Sequence, residues 1–296
     1  MMKQTEFTFH TPDHNTACNA AVFSPEDNAC AVLQITPDLC ESALRYETFA
    51  SVLAEKQVAV VVSGPTACDD TAIDALRRAV SDRFPGVPYF MLGTGAGSYA
   101  LRAYLASRGD GLGGVILAGC GFVPEGTCLM RSVKLNALIR LHGEGYRCAL
   151  LSKMTGLSVS ASAGEDALPS LKEYRAYLQA VTFSCNETHI AELPKNLPFL
   201  LLSGTDDPAG DLGAGVRRVQ EKMLLAGVAD VACRFYQGAG HDLLCAPYVS
   251  GYANDVCSFI GAHMDGKNLS SYDSNQAYNE KKAAAKKDYE IEQILL

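Results

Sequence analysis

Three short runs in this chain carry residues suited to acyl-transfer chemistry, and each follows an apolar stretch. Tyr89-Phe90-Met91-Leu92 leads into Gly93-Thr94-Gly95-Ala96-Gly97 and then a helical pattern. A strand, a glycine-flanked tight turn and a helix form the frame that exposes a nucleophile at the top of a sheet, with glycines where nothing larger fits. The middle of such a turn is normally serine, and here it is Gly95. Farther on, Leu200-Leu201-Leu202-Ser203-Gly204-Thr205-Asp206-Asp207 places a carboxylate just past an apolar run, and Gly238-Ala239-Gly240-His241 places a histidine past the next. Nucleophile, acid, histidine is the chain order of a hydrolytic triad in which Asp207 orients His241 and His241 takes the nucleophile's proton.

Such residues need a scaffold that brings strand ends together. Apolar, β-branched runs alternate with helical patterns along most of the chain, which is how a parallel sheet with covering helices is written. Strands are expected at Ala29 to Ile35, Val58 to Val62, Pro88 to Leu92, Gly114 to Leu117, Phe199 to Leu202 and Val231 to Tyr236. Helices are expected at Ser42 to Lys56, Asp70 to Arg83, Ala96 to Ser107, Gly213 to Ala226 and Tyr248 to His263. Thr5 to Phe9 and Cys18 to Phe23 alternate like a hairpin at the sheet edge. Ligands of open α/β sheets sit at the carboxyl ends of the strands, where the three runs fall.

The alternation stops between Leu117 and Phe199, too long a gap for an ordinary connection. Arg131 to Leu141 and Leu171 to Val181 read as helices there, and Ser158 to Gly164 as a small, polar joint. A helical lid over the sheet's carboxyl edge, inserted at about 124–192, is the expectation. The first domain then runs over 1–264, and 265–296 is a polar carboxyl-terminal tail.

The chain resembles the monoacylglycerol lipase and lysophospholipase branch of the α/β-hydrolases, also labelled serine aminopeptidase-like. The resemblance covers roughly residues 5 to 264. It rests on Arg45-Tyr46, Arg102-Ala103-Tyr104-Leu105, Gly109-Asp110, Leu193-Pro194-Lys195-Asn196-Leu197-Pro198 and Asp207-Pro208-Ala209-Gly210-Asp211. It implies an α/β-hydrolase fold: a mostly parallel central sheet covered by helices on both faces, with a shortened lid. It also implies that the backbone N–H groups of Ala96 and Leu39 are the oxyanion donors.

Three departures cluster at the active-site edge. The family's elbow reads G-H-S-M-G, but here it is Gly93-Thr94-Gly95-Ala96-Gly97. The oxyanion loop that usually begins His-Gly reads Pro37-Asp38-Leu39, an exchange that leaves the aim of the Leu39 N–H open. The D-H-x-G-H-G loop is replaced by Gly64-Pro65-Thr66-Ala67-Cys68-Asp69. Without a side chain, Gly95 forms no acyl-enzyme. The substitutes considered are Ser98, expected to point away from the turn, Thr94, expected beneath it, and the thiols Cys68 and Cys120.

The 296 residues are 48% hydrophobic and 20% charged, a balance that excludes disorder and small disulfide scaffolds. The net charge of -8, with basic residues scattered apart from a cluster in the tail, is no nucleic-acid footprint. The eleven cysteines include no C-x-x-C pair and read as core thiols in a reducing compartment, with no metal site and no cofactor. No stretch is long enough to span a bilayer and the amino terminus has no apolar secretion segment, so a cytoplasmic protein is expected. The leading expectation is a pseudo-hydrolase that binds a small acyl or lipid-like ligand or a protein partner. The alternatives are an active carboxylic-ester hydrolase with a displaced nucleophile, and a nucleotide-binding module whose glycine run cradles phosphate.

Overall fold

The computed structural model describes residues 2–11, 17–64, 70–147, 168–244 and 247–264. Eight strands form one sheet: β1 (Met2–His10), β2 (Ala17–Pro25), β3 (Ala31–Thr36), β4 (Val58–Ser63), β5 (Tyr89–Thr94), β6 (Gly114–Ala118), β7 (Phe199–Gly204) and β8 (Val231–Tyr236). Their spatial order is β1-β2-β4-β3-β5-β6-β7-β8. β1 and β2 form an antiparallel hairpin, and β2 joins β4 antiparallel. From β4 to β8 every neighbouring pair is parallel. The central strands are buried along their whole length, as parallel strands must be when both faces are covered.

Alternate residues feed two separate apolar layers. On one face Leu33, Ile35, Val60, Leu92, Ile116 and Leu202 pack against α1 (Glu47–Glu55) and α8 (Val249–Ala262). On the other, Val32, Val61, Met91, Val115, Leu117 and Leu201 meet α2 (Asp70–Arg83), α3 (Ala96–Arg108), α5 (Leu171–Ser184) and α7 (Ala214–Leu225). The expected mostly parallel sheet with helices on both faces is what the chain forms. In α2 the buried positions Ala72, Ile73, Ala75, Leu76 and Val80 make one stripe. In α3 nine of the ten positions from Ala96 to Leu105 are buried, because this helix runs under both the sheet and α5.

Two expected helices differ in extent. The segment from Ser42 begins as a 3-10 turn (Ala43–Tyr46) before α1. Ser42 Oγ accepts from the Leu44 N–H at 3.3 Å, an amino-terminal cap that a helical periodicity does not reveal. The helix expected from Arg131 starts six residues earlier, giving α4 (Glu125–His142). It buries only Cys128 and Leu135 while Leu129, Met130, Val133 and Leu141 stay exposed, so no single stripe marks its start. α5 begins where expected because Ser170 and Glu173 form a reciprocal capping box. The short α6 (Glu187–Glu192) was not anticipated; Asn186 caps it. The polar joint at 158–164 and the tail at 265–296 lie outside the described residues.

Candidate active site

The site is assembled from four strand ends on one edge of the sheet. β3 stops at Thr36 and delivers Pro37-Asp38-Leu39; β5 stops at Thr94 and delivers Gly95. β7 and β8 deliver Asp207 and His241. Because β3 and β5 are adjacent and parallel, the loop after one lies against the turn after the other. Gly95 has φ +49°, in the region L side chains rarely adopt, and donates its N–H to Ala118 O at 2.9 Å before α3 begins. A β-carbon on Gly97 would stand 2.6 Å from Pro37 O and closer still to Thr36 O, so glycine there lets the helix start come flush against the β3 end.

The carboxylate of Asp38 fills the space above Gly95. A β-carbon on Gly95 would stand 2.6 Å from Asp38 Oδ1 and nearer still to Oδ2 and Cγ. Oδ1 accepts the Leu39 N–H at 2.8 Å and the Ala96 N–H at 2.7 Å, so the two donors implied by the resemblance converge on one oxygen. The Leu39 N–H, whose aim the sequence left open, therefore points into the site. Oδ2 lies 3.3 Å from His241 Nε2, while His241 Nδ1 lies 3.0 Å from Asp207 Oδ1. Asp207 Oδ1 also accepts from the Ala209 N–H at 2.9 Å. One imidazole is held between two carboxylates, with side chains 5% (Asp38), 9% (His241) and 0% (Asp207) exposed.

Burial by itself favours the neutral ring. Hydrogen bonds and charge from Asp207 and Asp38 outweigh it and raise His241 to about 10. The resting arrangement is carboxylate, imidazolium, carboxylate. A histidine in the unfolded chain titrates near ~6.5, so between that pH and about 10 the folded chain binds the extra proton. Stability should therefore fall as pH rises through this window. We expect the free energy of urea unfolding to drop by about 1–2 kcal/mol more in the native chain than in His241→Gln from pH 7 to pH 8.5, since the buried thiols contribute equally to both. An equal drop in the variant would assign the effect to other groups.

A second acidic side chain supports the loop. Glu41 Oε2 accepts from the Asp38 N–H at 3.2 Å and from Tyr46 OH at 2.7 Å. Tyr46 OH also lies 2.7 Å from Thr94 Oγ1. Burial, and then the charge of Asp38, push the Glu41 carboxyl above the usual carboxylate range. Between Asp38 and Glu41, Cys40 adopts φ +60°, a strained conformation for a residue with a β-carbon. Arg45, from the turn after this loop, pairs with Asp242 and so ties it to the loop carrying His241.

The other candidate nucleophiles sit elsewhere. Ser98 is fully buried and its hydroxyl bonds to Gly93 O at 2.6 Å and Ala118 O at 2.8 Å, a packing arrangement beneath the turn. Thr94 points at Tyr46 and Glu41. Cys120 is buried, and burial pushes its thiol up to about 11. Cys68 lies outside the described residues. The N–H of Ala96 at the start of α3, which a phosphate cradle would aim at its ligand, is turned onto the chain's own Asp38. Among the described residues no group of three or more histidine, cysteine, aspartate or glutamate side chains is placed to hold a metal ion, and no helix is long and apolar enough to cross a membrane.

Asp38 was visible in the sequence only as a departure from His-Gly. Its reach to Gly95 depends on β3 and β5 being neighbours, although β4 intervenes in the chain. The one available signal was the pairing of a missing side chain at Gly95 with a new carboxylate at the end of another strand.

No protein-family model matches the chain, and no curated protein matches it in sequence. Solved structures do match in fold. A thermostable carboxyl esterase from Bacillus coagulans superposes with a TM-score of 0.74 at 19% identity, over 90% of this chain and 100% of that one. The monoacylglycerol lipase of Paleococcus ferrophilus gives 0.58 at 16% identity, over 89% and 99%. The monoglyceride lipase of Saccharomyces cerevisiae, solved as a soluble variant with a substrate analog, gives 0.60 at 13% identity, over 84% and 93%. With its sheet order, its carboxyl-edge site and these likenesses, the chain has the α/β-hydrolase fold of esterases and monoacylglycerol lipases.

Proposed function

We propose that this chain is an α/β-hydrolase-fold protein without serine-type ester hydrolysis, a pseudo-hydrolase in that sense, whose site takes a small acyl or lipid-like ligand. The observation that carries the reading is the Asp38 carboxylate. It occupies both N–H donors that would stabilise a tetrahedral oxyanion, and it stands over Gly95 where a serine hydroxyl would have to be. An ester carbonyl therefore meets neither a serine nor a free oxyanion hole. The retained Asp207 and His241 pair has no hydroxyl to deprotonate; its cationic imidazole instead binds the carboxylate that replaces one. The ligand class follows from the likeness to monoacylglycerol lipases and stands or falls separately from the loss of chemistry.

The test pairs activity with labelling. Purified protein is expected to leave p-nitrophenyl butyrate and monooleoylglycerol unhydrolysed above background and to take up no fluorophosphonate probe, while monooleoylglycerol raises its melting temperature. Enzyme-like ester turnover that disappears in His241→Ala, or fluorophosphonate labelling at Ser98 or Thr94, would establish the displaced-nucleophile enzyme instead.

A further inference from the structure

We propose that the exposed face of α4 is a docking surface for a segment of the same chain, the acidic and apolar stretch 288–296, which lies outside the described residues. The inference concerns a surface away from the Asp38, His241 and Asp207 site and holds whether or not that site turns over a substrate.

Among the described residues α4 packs chiefly against α5, burying Cys128 and Leu135 on that side. The opposite side is apolar where a surface helix is ordinarily polar. Steps of three and four residues place Met130, Val133, Ala137 and Leu141 in one stripe, with Leu129 beside it. Leu129, Met130, Val133 and Leu141 are each more than 60% exposed. From Met130 to Leu141 the stripe is about 16 Å long. Lys134 and Arg140 border it, and neither forms an ion pair with a described carboxylate. The surface therefore asks for an occupant that is apolar along one side and negatively charged at its margins.

The stretch 288–296 has that composition: Asp288, Glu290 and Glu292 alternate with Tyr289 and Ile291, and Ile294, Leu295 and Leu296 follow. Ile291, Ile294 and Leu295 stand at i, i+3 and i+4, the spacing that gathers side chains on one side of a helix, and nine helical residues span about 13 Å, close to the length of the stripe. The stretch before it, 281–287, is basic and has the wrong sign to lie along Lys134 and Arg140, so the docked part begins at Asp288. Reach is sufficient. The described chain stops at Met264, after His263 Nε2 meets Asp230 Oδ2 at 3.3 Å near the amino end of β8. The intervening 265–287 can extend to about 80 Å, against about 50 Å across a fold of this size. Other occupants fit less well. A second copy would bring two sets of Lys134 and Arg140 together, an anionic bilayer would be repelled by the net charge of -8, and the apolar part of 148–164 carries Lys153 as its one charge.

The experiment treats the full chain, as a mixture of 14N- and 15N-labelled copies, with a water-soluble carbodiimide, which joins an amine to a carboxylate in contact with it and adds no spacer. Peptide mass spectrometry should find Lys134 joined to Asp288, Glu290 or Glu292 within one copy. In hydrogen exchange, Ile291→Ser combined with Ile294→Ser, which keeps every charge, should speed the amides of 129–141 by at least about fivefold and leave those of α5 unchanged. No such link, or exchange of 129–141 that the double variant leaves unchanged, would overturn the proposal. Links found only between differently labelled copies would overturn it in favour of a second copy as the occupant. Protection of 129–141 gained on adding phosphatidylglycerol vesicles to the native chain would overturn it in favour of a membrane. The cross-link is read in the native chain, so it decides the matter even if the variant folds poorly.

Discussion

Gly95→Ser alone should give a protein that fluorophosphonate still fails to label and that is less stable than the native chain, whereas Gly95→Ser combined with Asp38→Gly should become labelled. The reason is steric and electrostatic together. A side chain at position 95 starts inside the Asp38 carboxylate, and relieving that overlap requires the loop after β3 to give way. Overpacking of this kind costs about 1–3 kcal/mol. The left-handed backbone at Gly95 adds about 1–3 kcal/mol for any L side chain. The new hydroxyl would also meet no oxyanion donors, since Leu39 and Ala96 already bond to Oδ1. Glycine at 38 clears the overlap and frees both N–H groups, each of which is worth on the order of 10²–10³ in rate when aimed at an oxyanion. Labelling by Gly95→Ser alone, as fast as by the double variant, would show that Asp38 does not obstruct the position.

Gly95 and Asp38 are thus one structural feature distributed over two distant stretches of sequence, and this explains what the chain made legible and what it concealed. A strand such as Val58–Ser63 was readable because burial on both faces demands a continuous apolar run rich in β-branched residues. Asp207 and His241 were readable because a residue's place just after a strand is local information, and the sheet edge does the rest. The part played by Asp38 is not local. Its carboxylate meets Gly95 only because β3 lies between β4 and β5, an order fixed by crossover connections that no stretch of residues records. The start of α4 was concealed for a different reason: Pro124 caps it without a side-chain bond, and apolar residues such as Leu129 and Val133 sit on its exposed side, blurring the stripe.

His241→Ala should destabilise the chain more than loss of the Asp207 charge does, and the way its cost responds to pH should identify why. The native trio carries two negative charges and one positive one. Removing the cation leaves Asp38 and Asp207 buried with no positive side chain between them. Breaking a buried ionic group by deleting one partner costs about 3–5 kcal/mol, and for a chain of this size each kcal/mol lowers the melting temperature by about 2–4 °C. Asp207→Asn removes charge from the other side, leaving the His241 imidazolium paired with Asp38 and an amide oxygen able to accept from Nδ1 and the Ala209 N–H. It should cost less than half as much. In His241→Ala the two carboxylates relieve each other only if one holds a proton, so its folded-state titration moves above that of an unfolded aspartate near ~3.9. A group with a raised folded-state value contributes stability at low pH that is lost as pH rises. Below the ~6.5 of an unfolded histidine the native chain has its full gain from His241, so the deficit of His241→Ala against it should shrink between about pH 6 and about pH 5 in urea-unfolding measurements. A deficit that stays constant across that range would mean that packing around the ring, and not the charge it carries, is what the substitution removes.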